Sequence, residues 1–493
     1  MEKRKLTVYQ SLQKKIDLKI LIILLSVDKQ ITRNLKDGNI ATRPALSNGL
    51  WCCVLLPAVL ILYSLQYEVS ELYSLLAFIS VGLLSYSLLF IVFVSVSCLV
   101  LKENIYGGCM ASSLTAALLL YVFLDRGLIL SLVFSMSAVF SYSSLLRVAL
   151  TKFPKTFTIG EAMIVVQSIV LFTVMIITKF IFDNGDVEDE EIQFIYSIIF
   201  TILSTVGIIV TALYLLDESQ KTLPVLGYIL SVAGTYALMI LHANVGVDCI
   251  LKLASYIFLD ANRVMLFMFW LAIAVMAAFM ILIRTQLAVK ASTVTRKSFH
   301  VLASIVFLSG IVYNIRLMTL AAGFGFGLMI FIEALRKSDI EQISPALQSA
   351  FDVYSDHKDV GSFAMTPMYL YVGLACPLIL VPIHEGYELE LLSGVLSIGI
   401  GDTAASWFGS RYGFNKWADG RKSLQGTAFN VISQIATVHA LNLFGLMNLK
   451  NSLLRIGITA TISGFVEAKT DQVDNLVLPL VSLIAFQVTS ILC

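Results

Sequence analysis

The chain has 493 residues, of which 58% are hydrophobic and 14% are charged, and its mean hydropathy is +0.86. This composition excludes an ordinary water-soluble fold and indicates an integral membrane protein. The formal net charge of +1 provides no overall attraction to nucleic acid, so no nucleic-acid partner is expected.

The first 48 residues are predicted to form a basic cytosolic region. Residues 1–49 carry ten Lys and Arg, and short segments rich in these residues are retained on the cytosolic side. The apolar run ILIILLSV is short and has no small-residue cleavage site after it, so a removable signal peptide is not predicted.

The rest of the chain predicts an all-α, polytopic membrane protein with roughly 15 transmembrane helices, within a range of about 13–15. Apolar windows begin near residues 49, 72, 108, 127, 162, 193, 222, 264, 298, 317, 367, 389, 427, 453 and 475. The clearest window, Val264–Ile283, has 20 residues without a charge. Two mixed regions, Asp248–Asn262 and Asp339–Ser355, are predicted to be interfacial or extramembrane helices.

Because successive spans cross the membrane in opposite directions, counting the windows assigns each connecting segment to one side of the membrane. The acidic segment DNGDVEDEE, residues 183–191, falls on the far side, as does HEGYELE, residues 384–390. The cytosolic side receives RTQLAVKASTVTRKSFH, SDHKDVGS, GDTAASWFGSRYGFNKWADGRKSLQGT and EAKTDQVDN. All segments with plausible chemistry therefore face the same way.

We divide the membrane region functionally near residue 290. In the multispan N-terminal membrane region, 49–289, the main ionisable groups in or near spans are Glu161, Lys179 and His242. We interpret them as helix-end or interhelical polar contacts. The chain's seven cysteines fall mostly within apolar runs without disulfide or zinc spacing, so we interpret them as core residues. No chemistry is assigned to this region.

The stretch GDTAASWFGSRYGFNKWADGRKSLQGT, residues 401–427, combines acid, glycine and base. Asp402 at membrane depth costs a few kcal/mol unless it is paired, hydrated or coordinated. Nearby glycines provide backbone amides for an anion, and nearby bases supply positive charge; these residues are Gly409, Gly413, Gly420, Arg411, Lys416, Arg421 and Lys422. The combination predicts a site for a metal-bound polyphosphate. Close helix packing through Gly and Ala is the alternative for the start of the stretch.

The stretch resembles the CTP-binding signature of the dolichol kinase family, D-x2-A-x3-G-x3-G-x8-K-x3-G. All its positions are met, by Asp402, Ala405, Gly409, Gly413, Lys422 and Gly426. Gln425 departs from the Glu that the family usually has. Three further segments resemble family motifs: TRKSFH with Arg296, Lys297 and His300; SDHKDVG with Asp356 and Asp359; and EAKTDQVDN with Glu467, Asp474 and Asn475.

The resemblance implies that residues 290–493 form a CTP-dependent lipid kinase catalytic region. It implies transfer of the γ-phosphoryl group of CTP to dolichol at the cytosolic face of the endoplasmic reticulum membrane, giving dolichyl phosphate for protein N-glycosylation. The catalytic residues would be Asp402, Lys422 and Asp474, with Mg²⁺ or another divalent cation on Asp402 and Asp474. Nucleotide contacts would come from Gly401, Asp402, Ala405, Gly409, Arg411, Gly413, Arg421, Lys422, Ser423 and Gly426. Supporting residues would be Arg296, Lys297, His300, Asp359, Gln425, Glu467 and Asn475.

Two alternatives remain open on the sequence. A CTP-dependent kinase of another lipid alcohol, such as phytol or diacylglycerol, shares variants of the signature. A transporter is the alternative from a different class, because Asp402, Glu333 and Glu467 near helix ends would suit an ion path. The oligomeric state is not predicted.

Overall fold

The computed structural model describes residues 25–103, 105–182, 189–287, 291–355, 358–382, 388–417, 422–446 and 452–490. Throughout these ranges the regular secondary structure is helical, and no β-strand occurs in them. The predicted all-α class is therefore confirmed.

The chain divides into two compact units, and the first consists of Met1–Ile177 with Val360–Ser362. Its helices are α1 (25–37), α2 (Leu55–Gln66), α3 (Glu71–Val96), α4 (Leu99–Lys102), α5 (Tyr106–Phe123), α6 (Leu128–Lys152) and most of α7 (Ile159–Phe182). Helices α3, α5 and α6 pack against one another. Gly82 permits the close crossing of α3 and α5, because a Cβ there would lie 2.7 Å from that of Ala116.

A fully buried ion pair joins α7 to the segment before α2. Arg43 donates to Glu161 twice, from Nε at 3.0 Å and from Nη2 at 2.6 Å. Glu161 also accepts from the amide of Thr158 at 3.0 Å, and its own amide donates to the Thr158 hydroxyl at 3.2 Å. This reciprocal pair caps the start of α7. The interpretation of Glu161 as a polar packing residue is confirmed.

The second unit consists of Thr178–Asp359 and Phe363–Cys493. Its helices after α7 are α8 (Glu190–Leu215), α9 (Leu223–Val245), α10 (Cys249–Phe258), α11 (Ala261–Gln286), α12 (Thr293–Tyr313), α13 (Ile315–Arg336), α14 (Ser344–Tyr354), α15 (Met365–Leu380), α16 (Glu388–Leu391), a π-helix (Val395–Asp402), α17 (Thr403–Tyr412), α18 (Leu424–Leu443), α19 (Ser452–Lys469) and α20 (Asp474–Ser490). The unit boundary falls inside α7, whereas the functional division near residue 290 stays a prediction.

Among the described residues, eight helices are long and apolar enough to cross a membrane by length and composition. This number is below the roughly 15 predicted from apolar windows, although each window coincides with a helix. The other helices are either shorter, as α15 and α20 are, or more polar. The polar ones, α12, α18 and α19, carry candidate site residues, which explains why their hydropathy is lower.

The ends of three helices meet in a polar cluster on one side of the second unit. Glu191 at the start of α8 accepts from Arg263 of α11 at 2.9 Å and also pairs with Arg316 of α13. Tyr256 of the short helix α10 donates to the same carboxylate at 2.9 Å. The segment 183–191, which is predicted to lie on the far side, leads into Glu191 in this cluster. The contacts bring the starts of α8, α11 and α13 together.

The sequence also makes predictions about two short helices, the cysteines and Lys179. The two mixed regions form the short helices α10 and α14. The six described cysteines are free and are buried or half-buried, as expected of core residues; Cys493 lies outside the described residues. Lys179 stacks over the ring of Tyr196 at 4.1 Å, so it also makes a structural contact.

Glu161→Ala is expected to destabilise the protein strongly, because it leaves Arg43 buried without its counter-charge. Breaking such a pair costs about 3–5 kcal/mol. The matched control is Glu71→Ala, whose carboxylate is 56% exposed in its pair with Arg126 and is worth at most about 1 kcal/mol. Unfolding of the purified protein in detergent measures both. Equal losses in the two variants would contradict the structural role given to the buried pair.

Candidate active site

Asp402 is the last residue of the π-helix, which continues directly into α17. Such helices are rare and frequently occur at functional sites. Two glycines let this segment approach its neighbours. A Cβ at Gly399 would lie 1.9 Å from the hydroxyl of Ser304 on α12, and one at Gly401 would lie 2.6 Å from the Asn430 side chain on α18. Asp402 is consequently held between α12 and α18.

The buried carboxylate of Asp402 is paired with Lys297 of α12. The Asp402 side chain is only 4% exposed, and that of Lys297 is 15% exposed. His300, three residues after Lys297 and on the same helical face, is buried near Asp402 and Asn475. Its Nδ1 atom has no hydrogen-bond partner. The predicted R-K-x-x-H segment therefore lies beside the signature aspartate.

Lys422 forms a second charged cluster with the ends of α19 and α20. Its Nζ atom donates at 2.5 Å to both the side-chain and the backbone oxygen of Glu467, and lies 3.7 Å from Asp474 Oδ2. Burial alone lowers the pKa of Lys422, but the nearby carboxylates, led by Asp474 and Glu467, raise it above the ordinary lysine value. Lys422 therefore stays positively charged.

Lys358 is a cluster member that the sequence interpretation missed. Its Nζ atom lies 3.7 Å from Asp474 Oδ2 and donates to the carbonyl of Gln472 at 3.0 Å. The sequence interpretation considers only the acids of the segment SDHKDVG. The positive charge between those acids is the feature of the sequence that indicates Lys358. Asp359 instead accepts from the amide of Thr366 at 3.0 Å, which places it at the start of α15.

The signature glycines pack two helices together instead of forming an open loop. Gly409 lies inside α17, Gly426 lies in the first turn of α18, and neither has a positive φ. A Cβ at Gly426 would lie 3.0 Å from the carbonyl oxygen of Ala405, and one at Gly413 would lie 2.6 Å from the Ser423 hydroxyl. Ala405 and these glycines thus permit the close crossing that keeps Lys422 near Asp402.

Ser423 and Gln425 stabilise the same crossing. The Ser423 hydroxyl caps α18 by accepting from the amide of Gly426 at 3.1 Å. Gln425 Oε1 accepts from the amide of Asn415 at 3.1 Å. A Glu at position 425 would accept the same hydrogen bond, so the departure from the family pattern preserves this contact.

The remaining predicted site residues include Arg411, Arg421 and Asn475. Arg411 is exposed and stacks over Trp407 at 4.1 Å. Arg421 lies outside the described residues. Asn475 is buried at the start of α20, where its carbonyl oxygen would lie 2.1 Å from a Cβ at Gly373. It therefore takes part in the close packing of α15 and α20.

An apolar groove of about 480 Å³ begins beside the Lys297–Asp402 pair. One wall is α12 and the other is the segment 395–408. The lining residues are Val294, Lys297, Ser298, Val301, Ser304, Ile305, Leu308, Val395, Gly399, Ile400, Thr403, Ala404, Trp407 and Phe408. Lys297 is the only charged residue among them, so the groove combines one polar end with an apolar interior.

The carboxylates fit a divalent cation that arrives together with a phosphate ligand. Within the described residues, no three His, Cys, Asp or Glu side chains are grouped closely enough to form a metal site by themselves. Mg²⁺, however, commonly takes one or two carboxylates and completes its shell with phosphates and water. Asp474 Oδ1 is buried without a hydrogen-bond partner, which leaves it available for such a ligand.

Comparison with known proteins identifies the family of the chain. A family model described as dolichol kinase matches residues 77–367, more than half of the chain. The chain belongs to the dolichol kinase family. It is 26% identical over 399 residues to the dolichol kinase of Mus musculus, which covers 76% of this chain and 73% of that protein. It is 27% identical over 351 residues to the human dolichol kinase, which covers 67% of this chain and 65% of that protein. No solved structure matches the chain.

The dolichol kinase family match and the CTP signature occupy different parts of the chain. Lys297, His300 and Lys358 lie within residues 77–367, whereas Asp402 and Lys422 lie beyond them. The structure joins the two parts through the Lys297–Asp402 pair and through Lys358, which faces Asp474. Both parts therefore contribute to one candidate site.

Gly413→Ala is expected to destabilise the α17–α18 crossing by about 1–3 kcal/mol, because overpacking a tight contact forces the helices apart. The matched control is Gly457→Ala on α19, where nothing lies within 4 Å of the added Cβ and stability should stay the same or rise slightly. Thermal unfolding of both variants measures the difference. A fully stable Gly413→Ala protein would contradict the packing role of this glycine.

Proposed function

We propose that this dolichol kinase family member transfers the γ-phosphoryl group of CTP to the terminal hydroxyl of dolichol, producing dolichyl phosphate and CDP. The observation that carries the proposal is the convergence of two charged clusters at the polar end of an apolar groove. Family membership supports the lipid acceptor, and the signature from Asp402 to Gly426 supports CTP as the donor. A water-soluble nucleotide and a membrane-bound alcohol would meet at these helix ends.

The lysines supply the charge that a polyphosphate needs. Phosphoryl transfer is catalysed chiefly by positioning and by neutralising charge on the phosphoryl oxygens. Lys422 remains protonated beside its carboxylates, and Lys297 and Lys358 lie in the two clusters. We assign Lys422 to the CTP phosphates, whereas Lys297 positions Asp402 through their ion pair.

Asp402 and Asp474 would hold Mg²⁺ together with the phosphates of CTP. When bound, the cation would neutralise charge on the transferred and leaving phosphates. Glu467 holds Lys422 at 2.5 Å and so sets the position of its ammonium group. The acids would therefore have two roles: Asp402 and Asp474 would hold the cation, and Glu467 would orient Lys422.

In the proposed reaction, the dolichol hydroxyl oxygen forms a bond to the γ-phosphorus. The bond from that phosphorus to the oxygen bridging the β- and γ-phosphates breaks, and CDP leaves with the electron pair. The hydroxyl proton is released to solvent water, because Asp402 is assigned to the cation. Because the Asp402 side chain is 4% exposed, the site restricts water and limits wasteful hydrolysis of CTP.

The assignment is tested with purified protein in liposomes containing dolichol, Mg²⁺ and γ-labelled CTP. Label should enter dolichyl phosphate, and Asp402→Asn and Lys422→Ala should each lower the rate by about a hundredfold or more, since each removes a charge at the reacting groups. Matched controls are Asp248→Asn and Lys221→Ala, which lie outside both charged clusters. These should retain the wild-type rate.

Three outcomes would contradict the proposal in different ways. Transfer of label to phytol or diacylglycerol in preference to dolichol would change the acceptor. Unaltered activity of folded Asp402→Asn would remove Asp402 from the site. Substrate-dependent flux across the liposome without consumption of CTP would favour a transporter.

We further propose that the protein lies in the endoplasmic reticulum membrane with its site facing the cytosol. The basic residues at positions 1–49 support this orientation. Because CTP does not cross a sealed bilayer, CTP added outside intact, right-side-out microsomal vesicles should support transfer without detergent. Activity that appears only after the vesicles are permeabilised would contradict the cytosolic placement.

A further inference from the structure

We infer that the groove between α12 and residues 395–408 binds only the hydroxyl-bearing end of the polyprenol, about three isoprene units long, and leaves the remaining chain in the bilayer. The inference rests on the proposed function. It adds a binding site for the lipid and a length over which the lipid is recognised.

Two contacts fix how the walls of the groove run. Lys297 pairs with Asp402, and Ser304 lies against Gly399. As the residue number rises along α12, the number of the facing residue falls, so the walls are antiparallel. The lining of α12 from Val294 to Leu308 extends about 21 Å at 1.5 Å per residue. The groove therefore runs from the charged site into the apolar part of the bundle.

The charged end suits a neutral hydroxyl better than an anionic headgroup. Lys297 is already neutralised by Asp402, and the other polar lining residues at this end are Ser298 and Thr403. A phospholipid would place a negative phosphate and two chains at this position. A single-chain alcohol needs only hydrogen bonds at its end and apolar contact behind it.

The size of the groove sets the recognised length. An apolar cavity of about 150 Å³ holds the six carbons of benzene, or about 25 Å³ for each carbon, so a five-carbon isoprene unit with its bulkier methyl branch takes about 125–150 Å³. A volume of about 480 Å³ then holds about three units. Val301 and Ile305 line the groove and are 40% and 38% exposed. The chain can therefore leave sideways between them into lipid.

Ala404 provides the sharpest test, because it lines the groove on α17 and is not one of the paired charges. Ala404→Leu should lower kcat/KM for dolichol by about tenfold or more, since extra methyl groups in an apolar pocket discriminate to this extent. The KM for CTP should not change. The matched control is Ala274→Leu on α11, an exposed alanine outside the groove, which should behave like the wild type.

A series of alcohols with one to six isoprene units, compared at equal mole fraction in the bilayer, tests the recognised length. The kcat/KM of the wild type should rise up to about three units and then level off. A continued rise to six units would overturn the inferred length. A folded Ala404→Leu protein with wild-type kcat/KM for dolichol would overturn the location.

Photocrosslinking gives a readout that does not depend on catalysis. A three-unit prenol with a diazirine at its distal end should label residues within 301–308 or 395–400 of the wild type, and excess dolichol should reduce the labelling. Labelling confined to other helices would overturn the inference even if the enzyme is active. Failure of the wild type to phosphorylate any polyprenol, while labelling and competition occur as expected, would overturn the proposed function and leave the binding site standing.

Discussion

The pairing of Asp402 with Lys297 is the constraint on which the rest of the candidate site depends. A carboxylate in an apolar bundle is costly unless a counter-charge accompanies it, and Lys297 meets this need from a different helix. The pair therefore fixes α12 against the segment 395–408. The same contact defines the polar end of the groove, so the stability of a buried charge and the proposed placement of a lipid alcohol depend on one ion pair.

The second charged cluster also pairs opposite charges, but here two carboxylates surround one lysine. Lys422 lies 2.5 Å from Glu467 and 3.7 Å from Asp474. Lys358 shares Asp474 with it. Under the proposed function, this cluster would exchange partners when a polyphosphate and its cation enter, because it holds both signs of charge close together. The close crossing of α17 and α18 would keep this exchange beside Asp402.

Sequence reasoning located the charged residues better than it explained the glycines. Hydropathy identifies the helices because a bilayer demands long apolar runs, and the spacing from Asp402 to Gly426 predicts the candidate site segment. The signature alone did not reveal that Gly413 packs against Ser423, because a glycine needed for close packing and one needed for a loop look alike. The charge of Lys358 is visible in its own segment, but its contact with Asp474 and the groove depend on long-range packing, which no local pattern encodes.

The polar cluster around Glu191 also helps to hold one wall of the groove. It ties the starts of α11 and α13 through Arg263 and Arg316, and only Asn314 separates α12 from α13. The far end of α12 is therefore anchored by charged contacts, and its near end is held by the Lys297–Asp402 pair and by the edge-on contact of Phe299 with Tyr354. The wall of the groove that α12 forms is consequently fixed at both ends.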